Sequence, residues 1–356
     1  MRIMIYFPII GGKAGVAYYT ENIINNILRY TDTEILLVTN QNGKNDFKFV
    51  ESENLKILVV NVEKSIQNII FQMFRLNKIA AKNNIDKIFY PANPLILFKL
   101  KKTKYISTIH DLNELDNKNK YEFLKSFYRR NIMLPLGIRN SDVIVTVSDF
   151  SLKQFRKYYP QYVHKCNVIY NGIRDFKHKA IPKEKIILFT GRIDPDGKNL
   201  YKMLNLFDKI NEVDKEYRLI LAGSLFDGGK EFKEFTEKKY GNRVRFLGFI
   251  DDDQLEELFN KARYTVLFSR LEGFGLPVFE SMKCGTPVII NRVCEVLNNL
   301  VGDLAISVDE SNYDGFSKFI EMEKSKELYY DICNKSIVFS EKFTWKEAAL
   351  KLIQLM

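Results

Sequence analysis

Along the chain, short apolar and β-branched runs alternate with longer stretches whose hydrophobic positions recur every three or four residues. The first kind of pattern suits buried strands and the second suits helices that cover them. In the first half the strand-like runs are RIMIYF (2–7), EILLVT (34–39), LKILVV (55–60), IDKIFY (85–90), KYISTI (104–109) and VIVTVS (143–148). A second series begins at KIILFTG (185–191) and continues through YRLILAG, VRFLGF, YTVLFS, TPVII and LAISVD. Between the two series, after KCNVIYNGI, the polar stretch RDFKHKAIPKEK reads as a linker. Strand and helix alternating in this way predict an α/β protein with two doubly wound, Rossmann-like parallel-sheet domains. The expected division is 1–180, 181–340, and a terminal helix over 341–356 that crosses back to the N-terminal domain. Thr344, followed three positions later by Glu347, marks the start of that helix as a capping box.

Composition agrees with two domains and narrows the setting. A chain of 356 residues exceeds a single ordinary core, and 46% hydrophobic with 28% charged residues describes a folded globular protein. No run of eighteen apolar residues occurs, so a cytoplasmic location is expected. Cys166, Cys284, Cys294 and Cys333 form no C-x-x-C pair, and neither zinc nor structural disulfides are expected. Charge is uneven: residues 1–180 hold 28 Lys and Arg against 15 Asp and Glu, whereas residues 181–356 hold 26 against 29. A basic N-terminal half attracts nucleic acid, phospholipid headgroups or phosphorylated ligands, and charge alone does not choose among them.

Chemistry is best sought in the loops at the carboxyl ends of the strands, in a cleft between the two domains. In SRLEGFGLPVFESMKCGTPVII, Glu272 and Glu280 flank a Gly-Phe-Gly-Leu-Pro turn that opens a helix at Pro277. Backbone N–H groups at Phe274, Gly275, Leu276 and up to Val278 then form a phosphate seat at a helix start. Carboxylates beside a phosphate suit hydroxyl groups, so the two glutamates are candidates for binding polyols. In FTGRIDPDGKNL, Arg192 and Lys198 flank a turn after the first strand of the second domain and are placed to neutralise a diphosphate. In IIGGKAGVAYYT, Gly11, Gly12 and Gly15 offer close backbone approach to an anion, and His110 in STIHDL ends a strand of the first domain. Against each stands a plain alternative: a glycine turn, surface cations, a structural histidine. GSLFDGGKEF lacks the ending of a P-loop, and Asp251, Asp252 and Asp253 read as helix-start acids and not as metal ligands.

Taken in order, GGKAGVAYYT, TIHDL, SDVIVTVSDFS, NVIYNGI, GRIDPDGKN, LAGS, VRFLGFI, EGFGLPVFESMKCGTPVI and VGDLAISVD resemble the retaining glycosyltransferases of family four, which have the GT-B architecture. The resemblance implies that Glu280 holds the ribose of a nucleotide sugar, Arg192 and Lys198 its diphosphate, and Glu272 the transferred sugar. It implies that Gly12 and the backbone of Phe274, Gly275 and Leu276 close on the phosphates, while His110 approaches the sugar. The segment from Arg192 to Lys198 is one residue longer than the commoner family spacing.

The implied activity moves a hexose from a nucleotide-diphosphate sugar to a saccharide or lipid-linked acceptor, with retention and without metal or other cofactor. A role in surface polysaccharide or glycan biosynthesis follows, at the inner face of the membrane. KYEFLKSFYRRNIMLPLGIR (120–139), which mixes cations with large apolar residues, reads either as a contact with an anionic membrane or a lipid-linked diphosphate or as a solvated, half-buried crossover helix. A glycan phosphorylase or nucleotide-sugar hydrolase shares the architecture. A nucleic-acid partner is not expected, because no recognised binding module occurs.

Overall fold

The computed structural model describes residues 1–10, 15–112, 115 and 127–356. The N-terminal sheet contains β1 (Arg2–Tyr6), β2 (Glu34–Thr39), β3 (Leu55–Val59), β4 (Lys87–Tyr90), β5 (Lys104–Ile109), β6 (Val143–Thr146) and β7 (Cys166–Val168). Their order is β3-β2-β1-β4-β5-β6-β7, and every pairing is parallel. The C-terminal sheet contains β8 (Glu184–Thr190), β9 (Arg218–Ala222), β10 (Val244–Gly248), β11 (Ala262–Leu267), β12 (Val288–Asn291) and β13 (Ala305–Val308). It runs β10-β9-β8-β11-β12-β13, again wholly parallel. Chain direction across each sheet reverses at one place, between β1 and β4 and between β8 and β11. Such a reversal opens a crevice at the carboxyl ends of the two central strands.

Alternation along β1 shows why the first sheet is covered on both faces. Ile3 and Ile5 join one buried cluster with Ile23, Ile24 and Ile27 of the helix Gly15–Tyr30. Met4 and Tyr6 point the other way, into a cluster with Phe71, Leu76 and Ile88. Successive side chains of a strand emerge on opposite faces, and a strand apolar at every position is stable only when helices cover both. Each aliphatic side chain so buried contributes about 1.5–3 kcal/mol.

The domain boundaries differ from the expected ones. One compact unit comprises Met1–Gly172 together with Phe343–Met356, and the other comprises Ile173–Lys342. The polar stretch after Gly172 is not a free linker. Phe176 is buried in the core of the C-terminal unit beside Ile186, Leu188 and Phe259. Asn260 clasps the same stretch, accepting from Lys179 N–H at 2.7 Å and donating to the Lys177 carbonyl at 2.9 Å. The strand β7, three residues at a sheet edge, falls in a run read only as the approach to a linker. The terminal helix Trp345–Leu355 starts at Thr344, whose hydroxyl accepts from Glu347 N–H. It packs Ala348, Ala349 and Leu352 into the cluster of the helix Gly15–Tyr30. Among the described residues no helix is long and apolar enough to cross a membrane.

Candidate functional site

Both loops that carry the second domain's candidates leave the two strands flanking its reversal point. Arg192 and Lys198 follow β8, and Glu272 follows β11, so strand order alone brings them to one edge of the sheet. Lys198 Nζ meets Glu272 Oε1 at 2.7 Å, both side chains being mostly buried. Cation and carboxylate thus neutralise each other, and a diphosphate or a polyol arriving there exchanges one strong partner for another. Arg192 lies on the same loop, an exposed residue whose guanidinium stands 4.5 Å over the ring of Phe226 in a cation–π contact.

The turn after Glu272 depends on one glycine. Gly275 has φ +88°, and a Cβ there would lie 2.6 Å from Leu297 Cδ2, so backbone sign and space both require glycine. The helix Leu276–Lys283 then begins with Pro277 in its first turn. The phosphate seat is narrower than the sequence suggests. Pro277 has no N–H, and Val278 N–H is already given to the Gly275 carbonyl at 3.0 Å, so neither adds a donor to the seat.

Glu280 is not joined to Lys198 or Glu272. It is 1% exposed, and its Oε1 accepts from Arg174 Nη1 at 2.8 Å, while Arg174 Nε donates to Asp252 Oδ1 at 3.0 Å. Burial raises the Glu280 carboxyl above its ordinary range, and the Arg174 guanidinium opposes that rise. Sequence reasoning missed Arg174, because it sits in the run taken for a linker. A second missed group is Glu310, beyond β13. Its Oε2 accepts from Asn199 Nδ2 at 2.6 Å and from Asn291 Nδ2 at 2.7 Å, and its Oε1 from Arg270 Nε at 2.8 Å. Both amides also donate to the Phe268 carbonyl, at 3.2 and 3.1 Å. Asn199 directly follows Lys198 and adopts a left-handed backbone, φ 54°. One carboxylate therefore ties the Lys198 loop to the loop that ends in Glu272.

In the N-terminal unit, His110 closes β5. Its Nε2–H donates to the Pro91 carbonyl at 2.8 Å, and Tyr19 packs edge-on with ring centroids 4.8 Å apart. Burial lowers the imidazole pKa, so the ring is neutral near pH 7. Gly12, Gly11 and residues 120–126 of the proposed membrane segment lie outside the described residues. Asp251 caps the helix Asp252–Lys261, accepting from Gln254 N–H at 2.8 Å, with Asp252 and Asp253 in the first turn. No cluster of three potential metal ligands occurs among the described residues.

Residues 14–175 match the family described as Glycosyltransferase Family 4, and residues 173–335 match Glycosyl transferases group 1. An uncharacterised glycosyltransferase of Methanocaldococcus jannaschii is 26% identical over 361 residues, spanning 97% of this chain and 94% of that protein. The O-antigen chain mannosyltransferase B of Escherichia coli is 23% identical over 77% of this chain and 75% of its own length. The crystal structure of Anabaena HepE in complex with UDP and glucose superposes with a TM-score of 0.69 at 15% identity, covering 99% of this chain and 98% of that one. Two sheets of Rossmann-like order, a family match to each half and relatives that are glycosyltransferases lead to one conclusion: the chain is a glycosyltransferase of family four, with the GT-B fold.

Proposed function

We propose that this enzyme transfers a hexose, with retention of anomeric configuration and without a metal ion, from a nucleotide-diphosphate sugar to a saccharide or lipid-linked acceptor in surface-polysaccharide or glycan synthesis. The observation that carries the reading is the Lys198–Glu272 pair at the carboxyl ends of β8 and β11. The Anabaena neighbour's bound UDP and glucose and the E. coli relative's O-antigen mannosyl transfer support the donor and acceptor classes.

In this reading Arg192 and Lys198 hold the diphosphate, the backbone of Phe274, Gly275 and Leu276 seats its oxygens, and Gly12 is assigned to the same phosphates. Glu280 binds the ribose and Glu272 the hydroxyls of the sugar. His110 is assigned to the sugar from the acceptor-binding N-terminal unit. As the bond from the anomeric carbon to the phosphate oxygen breaks, negative charge gathers on the departing phosphate. Arg192 and Lys198 stabilise that charge through preorganised cations, the role a divalent metal would otherwise fill. The acceptor oxygen forms its bond on the face the phosphate leaves, and its proton passes to the phosphate. Glu272 positions substrate and forms no covalent adduct. Work at the cytoplasmic face of a membrane completes the proposal.

The test is a panel of nucleotide sugars incubated with chelator, with and without saccharide acceptors, product configuration being read by NMR. Transfer persists in chelator, requires acceptor, and retains configuration. Lys198→Ala and Glu272→Ala each lower kcat by about 10²–10³, as expected for removing one charge stabiliser or one positioning group. An inverted product, a strict need for manganese or magnesium, or sugar release without acceptor counts against the reading.

A further inference from the structure

The two cations assigned to the diphosphate are held in different ways. Lys198 is paired with Glu272, so an arriving phosphate competes with a carboxylate for it. Arg192 makes no ion pair among the described residues; what its guanidinium meets is the ring of Phe226, 4.5 Å from the ring centre. An exposed arginine has many rotamers to lose when it grips a ligand, and restraint before binding removes part of that cost. An aromatic ring attracts a guanidinium through its π face and is no conventional hydrogen-bond acceptor. The N–H groups of Arg192 are therefore not occupied by the contact and stay available to phosphate oxygens.

Backbone pairing fixes where that ring stands. The loops after β8 and β9 continue the parallel ladder past the ends of the strands. Gly191 N–H donates to the Ala222 carbonyl at 2.9 Å, Ile193 N–H to the Ser224 carbonyl at 2.9 Å, and Phe226 N–H to the Ile193 carbonyl at 3.0 Å. Ile193 and Leu225 form a parallel bridge. Gly223 permits the approach: its φ is +152°, and a Cβ there would lie 1.8 Å from the Gly191 carbonyl oxygen. Ile193 is fully buried, whereas Phe226 is 46% exposed and so is no core residue. We infer that Phe226 is a positioning residue, whose ring holds the Arg192 guanidinium ready for the diphosphate of the donor. The inference rests on the assignment of Arg192 to that diphosphate in the proposed function, and the experiment separates the two.

The experiment is calorimetric titration of the full chain with UDP, GDP, ADP and dTDP, followed by a double-mutant cycle on the diphosphate that binds most tightly. Phe226→Leu, which keeps apolar bulk and removes the ring, raises its Kd about threefold to tenfold, the strength of one exposed cation–π contact. Phe226→Tyr, which keeps the ring, binds as the parent does. In an Arg192→Ala background, Phe226→Leu has no further effect, because a residue that acts through another loses its influence once that other is gone. Thermal melts matching the parent show that each variant is folded. A loss of undiminished size in the Arg192→Ala background overturns the inference, since the ring would then touch the nucleotide itself. So does a Phe226→Leu variant with the parent's Kd, or a Phe226→Tyr variant as weak as Phe226→Leu. If no diphosphate binds, or Arg192→Ala leaves Kd unchanged, the diphosphate reading of Arg192 fails first and the inference falls with it.

Discussion

The carboxyl group of Glu280 shows how one residue's chemistry rests on another's. A carboxylate 1% exposed is costly unless compensated, and the Arg174 guanidinium at 2.8 Å is its compensation. Removing it by Arg174→Met leaves a buried charge with Asp252, itself acidic, as the remaining charged neighbour. The expected loss of stability is about 3 kcal/mol at neutral pH. The sign of its pH dependence follows from linkage. Burial already holds the folded-state pKa of Glu280 above its unfolded value, so the folded protein favours the protonated form, and that preference fades as pH rises through the folded-state pKa. Without Arg174 the pKa moves higher still, so the deficit is smallest in acid and grows towards neutrality. Urea titrations of both proteins across that range check the trend, and Arg174→Lys should fall between them. A deficit independent of pH would falsify the coupling. Glu280 was legible in the sequence because a motif marks its position after a glycine turn. Arg174 was not, because a cation in a polar run looks like linker until the fold shows that Phe176 and Asn260 fasten that run to the second unit.

At the scale of elements, the loops after β8, β11 and β13 act as one piece because Glu310 receives donors from Asn199, Asn291 and Arg270. The sequence displayed the strands well: EILLVT and KYISTI coincide with β2 and β5, since short continuous runs rich in apolar and β-branched residues report strands buried on both faces. It gave no sign of a shared carboxylate among four residues spread from 199 to 310, because side-chain convergence depends on strand order, which periodicity does not encode. Glu310 is a positioning residue, and its removal is expected to act on the groups it holds. Glu310→Ala removes one acceptor from two amides that keep only the Phe268 carbonyl, and the partner of the exposed Arg270 guanidinium, at a cost of about 1–3 kcal/mol in stability. It also loosens Lys198 through its neighbour Asn199. With the transferase assay in hand, the donor KM should rise about tenfold while the acceptor KM stays constant, as expected for a loop that loses its placement. Glu310→Gln, which keeps an acceptor oxygen for the amides, should recover part of the donor KM. Equal changes in both KM values, or a stability loss with unchanged kinetics, would show that Glu310 serves the fold alone.

At the scale of the whole molecule, the chain leaves its first unit at Gly172 and returns to it at Phe343, so the helix Trp345–Leu355 packs on the N-terminal unit across 170 intervening residues. Length and alternation announced two domains. The place of the cut was hidden, because Gly172 looks like an ordinary turn residue and its constraint is steric: a Cβ there would lie 2.2 Å from Trp345 N. That close approach seats the terminal helix, with Trp345 edge-on to Tyr18 and Tyr19 at 5.8 and 5.7 Å and Leu352 fully buried against the helix Gly15–Tyr30. Losing a buried Trp alone costs about 3–5 kcal/mol, a large part of the 5–15 kcal/mol that stabilises a typical domain. A chain ending at Lys342 should therefore fail to hold its first unit while keeping its second. Hydrogen exchange resolves the two: amides of β1, β4 and β5 lose protection, whereas those of β8, β11 and β12, which belong to the unit Ile173–Lys342, retain it. Gly172→Ala should shift the same N-terminal amides in the same direction by a smaller amount, because Trp345 is displaced and not removed. Protection lost equally in both sheets would mean that the terminal helix stabilises the chain as a single cooperative unit, and the division at Gly172 and Phe343 would then carry no energetic meaning.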